Sequence, residues 1–186
     1  MLPYCQYVLT HPEDELNRKY HDFEYGFPLE EDNLLFERFV LEINQAGLSW
    51  LIILKKKENF KEAFFHFDIE KVARFDTDDF ARLMDNKGII RNRLKINAAI
   101  ENAKRIQILQ KEHGSFRKWM DSHSHKSLEE WVKLFKSNFL FTGRQIVGEF
   151  LMSTGYLPGS HDSNCPIYEK VLQKKPPWTK SVSSSE

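Results

Sequence analysis

Residues 83–96, LMDNKGIIRNRLKI, place a glycine in a short gap between two helical patterns. One pattern ends near Asp85 and the next starts near Arg91. Helix, tight turn and helix make a helix-hairpin-helix pattern. Gly88 is expected to let the chain turn sharply and bring backbone N–H groups close to an anion. The helix that follows presents unsatisfied N–H groups and the positive end of its dipole. Arg91, Arg93 and Lys95 then supply cations at its start, the arrangement that grips a phosphate backbone. Gly88, Arg91, Arg93 and Lys95 are therefore candidate DNA-binding residues. An ordinary corner between two helices with a solvated basic face has the same pattern, so this stretch alone leaves both open.

Outward from the hairpin the pattern stays helical almost throughout. Downstream, Leu94, Ala98, Ala99, Asn102, Ile106 and Leu109 recur at three-to-four spacing. They predict a helix from about Arg91 to Glu112, stopped by Gly114. Ser115 starts a short FRKWM helix, Ser127-x-x-Glu130 is a capping box ahead of WVKLF, and GRQIVGEFLMST runs to Gly155. Upstream, Thr77 is the expected cap of DDFARLMD, Asp68 of IEKVARF and Ser49 of WLIILKKKENFKEAFFHF. Residues 32–46, DNLLFERFVLEINQA, form a further helix with Asp32 or Asn33 as cap and Gly47 as its left-handed end. FLF at 139–141 is too short to decide. The expected class is all-α, with eight or nine helices.

A chain of 186 residues and 22.1 kDa fits one domain, over residues 1–173, with room for two lobes. Residues 174–186, KKPPWTKSVSSSE, read as a flexible tail. Fifteen Phe and four Trp within a 41% hydrophobic composition are enough for a sizeable core. The 27 basic residues balance 27 acidic ones, which excludes a strongly charged nonspecific nucleic-acid binder but not a local patch. No run of apolar residues is long enough for a membrane span, and the first residues lack the cationic start and apolar run of a signal peptide. A reducing cytoplasm is the expected compartment.

Only two cysteines occur, each with a histidine in its neighbourhood: Cys5 ahead of His21, and His161-x3-Cys165. Two thiolates and two imidazoles are a complete tetrahedral zinc set. Such a site would clip the N-terminal segment to the C-terminal one and leave no open coordination position. A Cys5–Cys165 disulfide is the rival, disfavoured in a reducing compartment, and two unrelated buried thiols are the third reading.

Taken together, these segments resemble the DNA-3-methyladenine glycosylase I family of helix-hairpin-helix base-excision enzymes. The resemblance is carried by YHDFEYG at 20–26, LEINQAGLSW at 41–50, LKKKENF at 54–60, GIIRNRLKI at 88–96, FLFTG at 139–143 and the His161-x3-Cys165 ending. It spans positions 5 to about 168. It implies a helix-hairpin-helix glycosylase architecture in which Cys5, His21, His161 and Cys165 hold one structural zinc ion. It also implies a base pocket lined by Tyr20, Trp50 and Glu42, and removal of 3-methyladenine from alkylated duplex DNA by a monomeric enzyme, associated with the nucleoid in a bacterium. Departures fall at Asn17, where well-known members carry an aromatic residue, and at Tyr25, where Trp is common. Asn44 stands where Gln is common, and Leu94 replaces a hairpin Gly.

The chemistry suits those residue types. Methylation at N3 makes adenine cationic and a good leaving group, so the enzyme has to rotate the base from the stack and hold it. Aromatic faces attract a cation by about 0.5–2 kcal/mol each. Trp50, Tyr20 and Tyr25 are the candidate faces, with core packing as the ordinary alternative. Glu42 lies in the apolar stretch FVLEIN, where an unpartnered carboxylate is expensive to bury. It is the candidate catalytic residue, or else a carboxylate paired with Arg38. Many helix-hairpin-helix glycosylases use an Asp beyond the hairpin, but the helix here has none; Asp121 is the nearest downstream. The family it resembles lacks that Asp as well. The expected reaction is hydrolysis without strand cleavage. A non-catalytic protein that binds alkylated DNA, or a metal-stabilised interaction domain unrelated to DNA, has the same gross features.

Overall fold

Eleven α-helices and two short 3₁₀ turns carry the described residues, 3–180, of the computed structural model. The helices are α1 (Pro3–Thr10), α2 (Glu15–Phe23), α3 (Asp32–Gln45), α4 (Trp50–Ala63), α5 (Ile69–Ala73) and α6 (Thr77–Asp85). There follow α7 (Arg93–His113), α8 (Phe116–Ser122), α9 (Leu128–Asn138), α10 (Arg144–Ser153) and α11 (Tyr168–Gln173). No strand occurs among the described residues, and none of their helices is long and apolar enough to cross a membrane.

Helix α3 runs through the centre. Leu35 through Asn44 are all buried, so this helix is covered on every side and not only along one stripe. Its Phe39 ring meets Phe135, Phe139 and Phe150 at centroid separations of 5.5, 5.3 and 5.2 Å, tying α3 to α9, α10 and the loop between them. Full enclosure forces the four polar residues on this span, Glu37, Arg38, Glu42 and Asn44, to find partners inside the protein.

Several expected caps hold. Asp68, Ser115 and the Ser127/Glu130 box bond the first N–H groups of α5, α8 and α9, and Gly114 ends α7 at φ +85°. Others act differently. Asp76, not Thr77, caps α6. Asp32 does not cap its own helix; its carboxylate accepts from the Phe116 and Arg117 N–H groups and from Gln110, fastening α8 to α3. The expected run from Ser49 to Phe67 ends at Ala63, and Phe65, His66 and Phe67 turn back with φ between 50° and 56°. Burial of Phe64 and Phe67, stacked at 5.7 Å, holds that turn.

The helix count exceeds the expected eight or nine because α1, α2 and α11 are short, with eight, nine and six residues, and offer too few turns for a repeating pattern. The tail is also shorter than expected. Pro176 and Pro177 are buried, and the Trp178 N–H donates to the Gly155 carbonyl at 3.1 Å, so residues 176–178 dock on the end of α10. Residues 181–186 lie outside the described part of the chain.

Candidate active site and metal-binding cluster

A cavity of about 430 Å³ opens where α1, α2, α3, α4 and α10 meet. Three tyrosines and a tryptophan wall it. The Tyr20 ring lies 4.9 Å from Trp50 and 5.7 Å from Tyr25, and Tyr4 meets Tyr25 edge-on at 5.4 Å. Glu42 reaches the cavity from α3, and Gln145, Glu149 and Met152 from α10. The expected Tyr20, Tyr25, Trp50 and Glu42 are thus brought to one chamber from four segments. Trp50 adds an indole N–H that is buried without a partner.

Glu42 is 4% exposed. Burial pushes its carboxyl up from 4.5 to about 8, against the lowering effect of Arg38, with Glu149 adding to the rise and Ser153 opposing it. Arg38 does not close a simple pair with Glu42. Its guanidinium stands 4.9 Å over the Tyr20 ring and donates to the Tyr20 hydroxyl at 3.0 Å, the Ser153 carbonyl at 3.2 Å and Glu24 at 3.4 Å. A buried acid therefore faces aromatic rings, with a cation fixed behind them.

Cys5, His21, His161 and Cys165 form a buried cluster whose ligand atoms all lie within 4.8 Å of one another. Cys165 Sγ is 3.6 Å from His21 Nε2 and 3.6 Å from His161 Nδ1, and Cys5 Sγ is 3.8 Å from His161 Nδ1. The edge of a tetrahedron with Zn–S and Zn–N bonds is about 3.5 Å, so the spacing fits a single ion. Each imidazole is oriented by its other nitrogen: His21 Nδ1 against Asp22 at 2.8 Å, and His161 Nε2 against the Tyr25 carbonyl at 2.7 Å. Carboxylate and carbonyl partners of this kind orient metal-bound histidines. No disulfide joins the two thiols. The approach depends on Gly26, at φ +82°, where a Cβ would overlap the Ser160 hydroxyl and crowd His161.

Three of the four ligands sit beside a residue of the chamber wall: Cys5 beside Tyr4, His21 beside Tyr20, His161 beside Ser160. The cluster and the chamber are one construction, since whatever clamps the ligands also sets the wall.

The hairpin between α6 and α7 is present, with two changes from expectation. Gly88 is outside the left-handed region, and its N–H is bonded to Asn86 Oδ1 at 2.8 Å. A Cβ there would meet Asn86 Oδ1 at 2.9 Å and Asn59 of α4 at 3.1 Å, so the turn's own hydrogen bond and close packing against α4 together favour the glycine. Lys95 is corrected outright: it is 5% exposed, and its ammonium donates to the carbonyls of Asn44 and Ala46 at 2.8 and 2.7 Å. It closes the C-terminal end of α3 and is withdrawn from solvent. Arg91 and Arg93 remain exposed, with Arg93 over the Phe80 ring at 5.1 Å, and Leu94 beside them is 69% exposed. Asn92 caps α7 through the Leu94 and Lys95 N–H groups. Of the lysines at 55–57, Lys56 bonds the carbonyls of Lys87 and Gly88, and Lys57 pairs with Glu24.

Tyr4, Gln45, Gln145 and Glu149 belong to the chamber but escaped sequence reasoning. The signal in α10 was available: Gln145, Glu149 and Met152 fall at i, i+4 and i+7, opposite a face formed by Val147, Phe150 and Leu151. What it faced could not be read from α10 alone.

The sequence model of the methyladenine glycosylase family matches residues 10–133. A DNA-3-methyladenine glycosylase of Haemophilus influenzae is 35% identical over 166 residues, covering 79% of this chain and 89% of the relative. Among solved structures, a Tyr-to-Phe variant of 3-methyladenine DNA glycosylase I in complex with 3-methyladenine aligns with a TM-score of 0.76 at 32% identity, covering 83% of this chain and 93% of that one. The Staphylococcus aureus enzyme, solved to define 3-methyladenine recognition, aligns equally well, with 92% of its chain covered.

Proposed function

The chain belongs to the methyladenine glycosylase family, and on that premise we propose that Glu42, Tyr20, Tyr25 and Trp50 receive the flipped base during its reaction. That reaction is hydrolysis of the N-glycosidic bond of 3-methyladenine in alkylated DNA, which leaves an abasic site. The observation that carries the reading is a buried acid, Glu42, among aromatic rings in a chamber that no lysine or arginine lines. A positively charged purine supplies the cation that the chamber lining lacks. The rings offer electron-rich faces, and the carboxylate accepts from the amino edge of the base. Because the base already carries a positive charge, the chamber does not have to protonate it. Water is the nucleophile. A chamber without lysine also lacks a Schiff-base nucleophile, so the strand is left intact. The direct test is incubation with methylated duplex and assay of free bases; intact 3-methyladenine in the DNA after excess enzyme rejects the reading.

Glu42 supplies a second test. Below about pH 8 it is held protonated in the free protein, whereas a cation favours the carboxylate. Binding of 3,9-dimethyladeninium, whose charge is fixed, is expected to release a proton at pH 7 and none well above pH 8. Calorimetry in buffers of different ionisation enthalpy reads this; proton-independent binding at pH 7 argues against a Glu42 contact.

Arg91 and Arg93 are the phosphate contacts of the hairpin, supported by their exposure at the start of α7. Arg91→Ala and Arg93→Ala should each weaken duplex binding and reduce the slope of log K against log salt by about 1. Unchanged slopes in both variants argue against this face. Zinc is the ion that best suits the Cys5, His21, His161 and Cys165 set. With all four positions taken by protein, its part is structural: it joins α1, α2 and the 161–165 loop, and through the Tyr25 carbonyl it steadies one wall of the chamber. One chain supplies every residue invoked, consistent with action as a monomer, and its DNA-3-methyladenine glycosylase relatives support the cytoplasm as its compartment.

A further inference from the structure

Glu149 shares the chamber with Glu42 and has no counter-charge of its own. It is half-buried on α10, and its Oε2 accepts from the Tyr25 hydroxyl at 3.3 Å. No ion pair reaches it from any described residue. The Arg38 guanidinium, which acts on Glu42, is bonded to Tyr20, Ser153 and Glu24. Anchoring Tyr25 does not require a charge, because a glutamine carbonyl would accept the same phenol bond. A glutamine would also avoid placing a second carboxyl group beside Glu42, an arrangement that raises the cost of ionising Glu42. The carboxylate is therefore costly for the empty protein and useful only to an occupant that carries positive charge.

We propose that Glu149 is a specificity-determining residue, a second carboxylate in the chamber that selects N-alkylated purine cations over neutral purines. It rests on the reading of the chamber as the base pocket. Glu42 and Glu149 together give the occupant two anionic acceptors, so a base with a delocalised positive charge gains twice, whereas a neutral base gains ordinary hydrogen bonds only. Tyr25, bonded to Glu149, turns its ring toward Tyr20 and Tyr4, so the same contact that places the carboxylate also sets an aromatic face.

The test compares two ligands of nearly the same shape: 3,9-dimethyladeninium, with its fixed charge, and neutral 9-methyladenine. Each is titrated by NMR into the parent protein and into Glu149→Gln. The parent is expected to prefer the cation. Glu149→Gln should lose about tenfold in affinity for the cation, as befits one charge-assisted contact, and less than about twofold for the neutral base. Glu149→Asp should keep most of the preference. Tyr25→Phe, which removes the phenol bond and leaves the carboxylate, should keep it as well. An equal loss for both ligands, no loss for either, or a Tyr25→Phe variant that reproduces the selective loss overturns the proposal. A parent protein that releases no 3-methyladenine from methylated DNA and binds neither ligand overturns the pocket itself. A parent that excises normally, with its charge preference intact in Glu149→Gln, rejects the role of Glu149 alone.

Discussion

Glu42→Gln is expected to fold as the parent does and to release 3-methyladenine about 100- to 1000-fold more slowly in single-turnover assays. The substitution keeps the volume and an acceptor toward Ser153 but cannot become an anion. Whatever the carboxylate does for the leaving cation, by accepting from its amino edge or by stabilising the sugar cation, depends on that charge. Stability should move the other way. The folded carboxyl ionises near pH 8 and the unfolded one near 4.5, so between those values the folded state binds more protons. Stability attributable to Glu42 therefore falls as pH rises through that window. Thermal melts should show Glu42→Gln equal to the parent near pH 4.5 and more stable than it above pH 8. A variant that excises at the parental rate removes Glu42 from the mechanism, whatever its melting behaviour.

Loss of the Cys5, His21, His161 and Cys165 cluster should have the second large effect. Cys165→Ser removes one of four ligands from a buried set that ties the two ends of the chain together. Structural zinc contributes on the order of 10 kcal/mol in small domains that cannot fold without it. This protein has a large independent core around α3, so the expected loss is smaller, about 3–5 kcal/mol, or roughly 10–15 °C in Tm for a chain of this size. A strong chelator should lower the parent to the melting point of Cys165→Ser and leave the variant where it is. Equal stability of the parent with and without chelator counts against the clip. Excision should fall along with stability, because Tyr4, Tyr20 and Ser160 are the chain neighbours of three ligands, and one of those three, His161, is also bonded to the Tyr25 carbonyl. Melting and activity should then recover together on adding zinc.

The two variants separate the parts of the site. Glu42 lies on a helix that the core encloses, so its removal costs chemistry and not architecture. Cys165 lies on a loop with little apolar cover of its own, grouped with Cys5, Ile167 and Val171, so its removal costs architecture first.

How far each residue could be read in advance follows from the range of the forces that place it. The helical spacing of apolar residues in α3, α7 and α9, the capping box at Ser127 and the left-handed stop at Gly114 depend on neighbours within about one turn, so the sequence alone encodes them. It also determined the chemistry available: two thiols and two imidazoles, and one acid in an apolar stretch. The helices α1 and α2 were not legible, since eight and nine residues give barely two turns of pattern; residues of the chamber and of the Cys/His cluster lie on both. Packing across the fold settled that Lys95 would close α3 and leave solvent, that Asp32 would cap α8 and not its own helix, and that Glu149 would join Glu42. In each case the deciding partner lies dozens of residues away. A buried charge takes whichever partner the packed core brings within about 3 Å, and no local pattern encodes that choice.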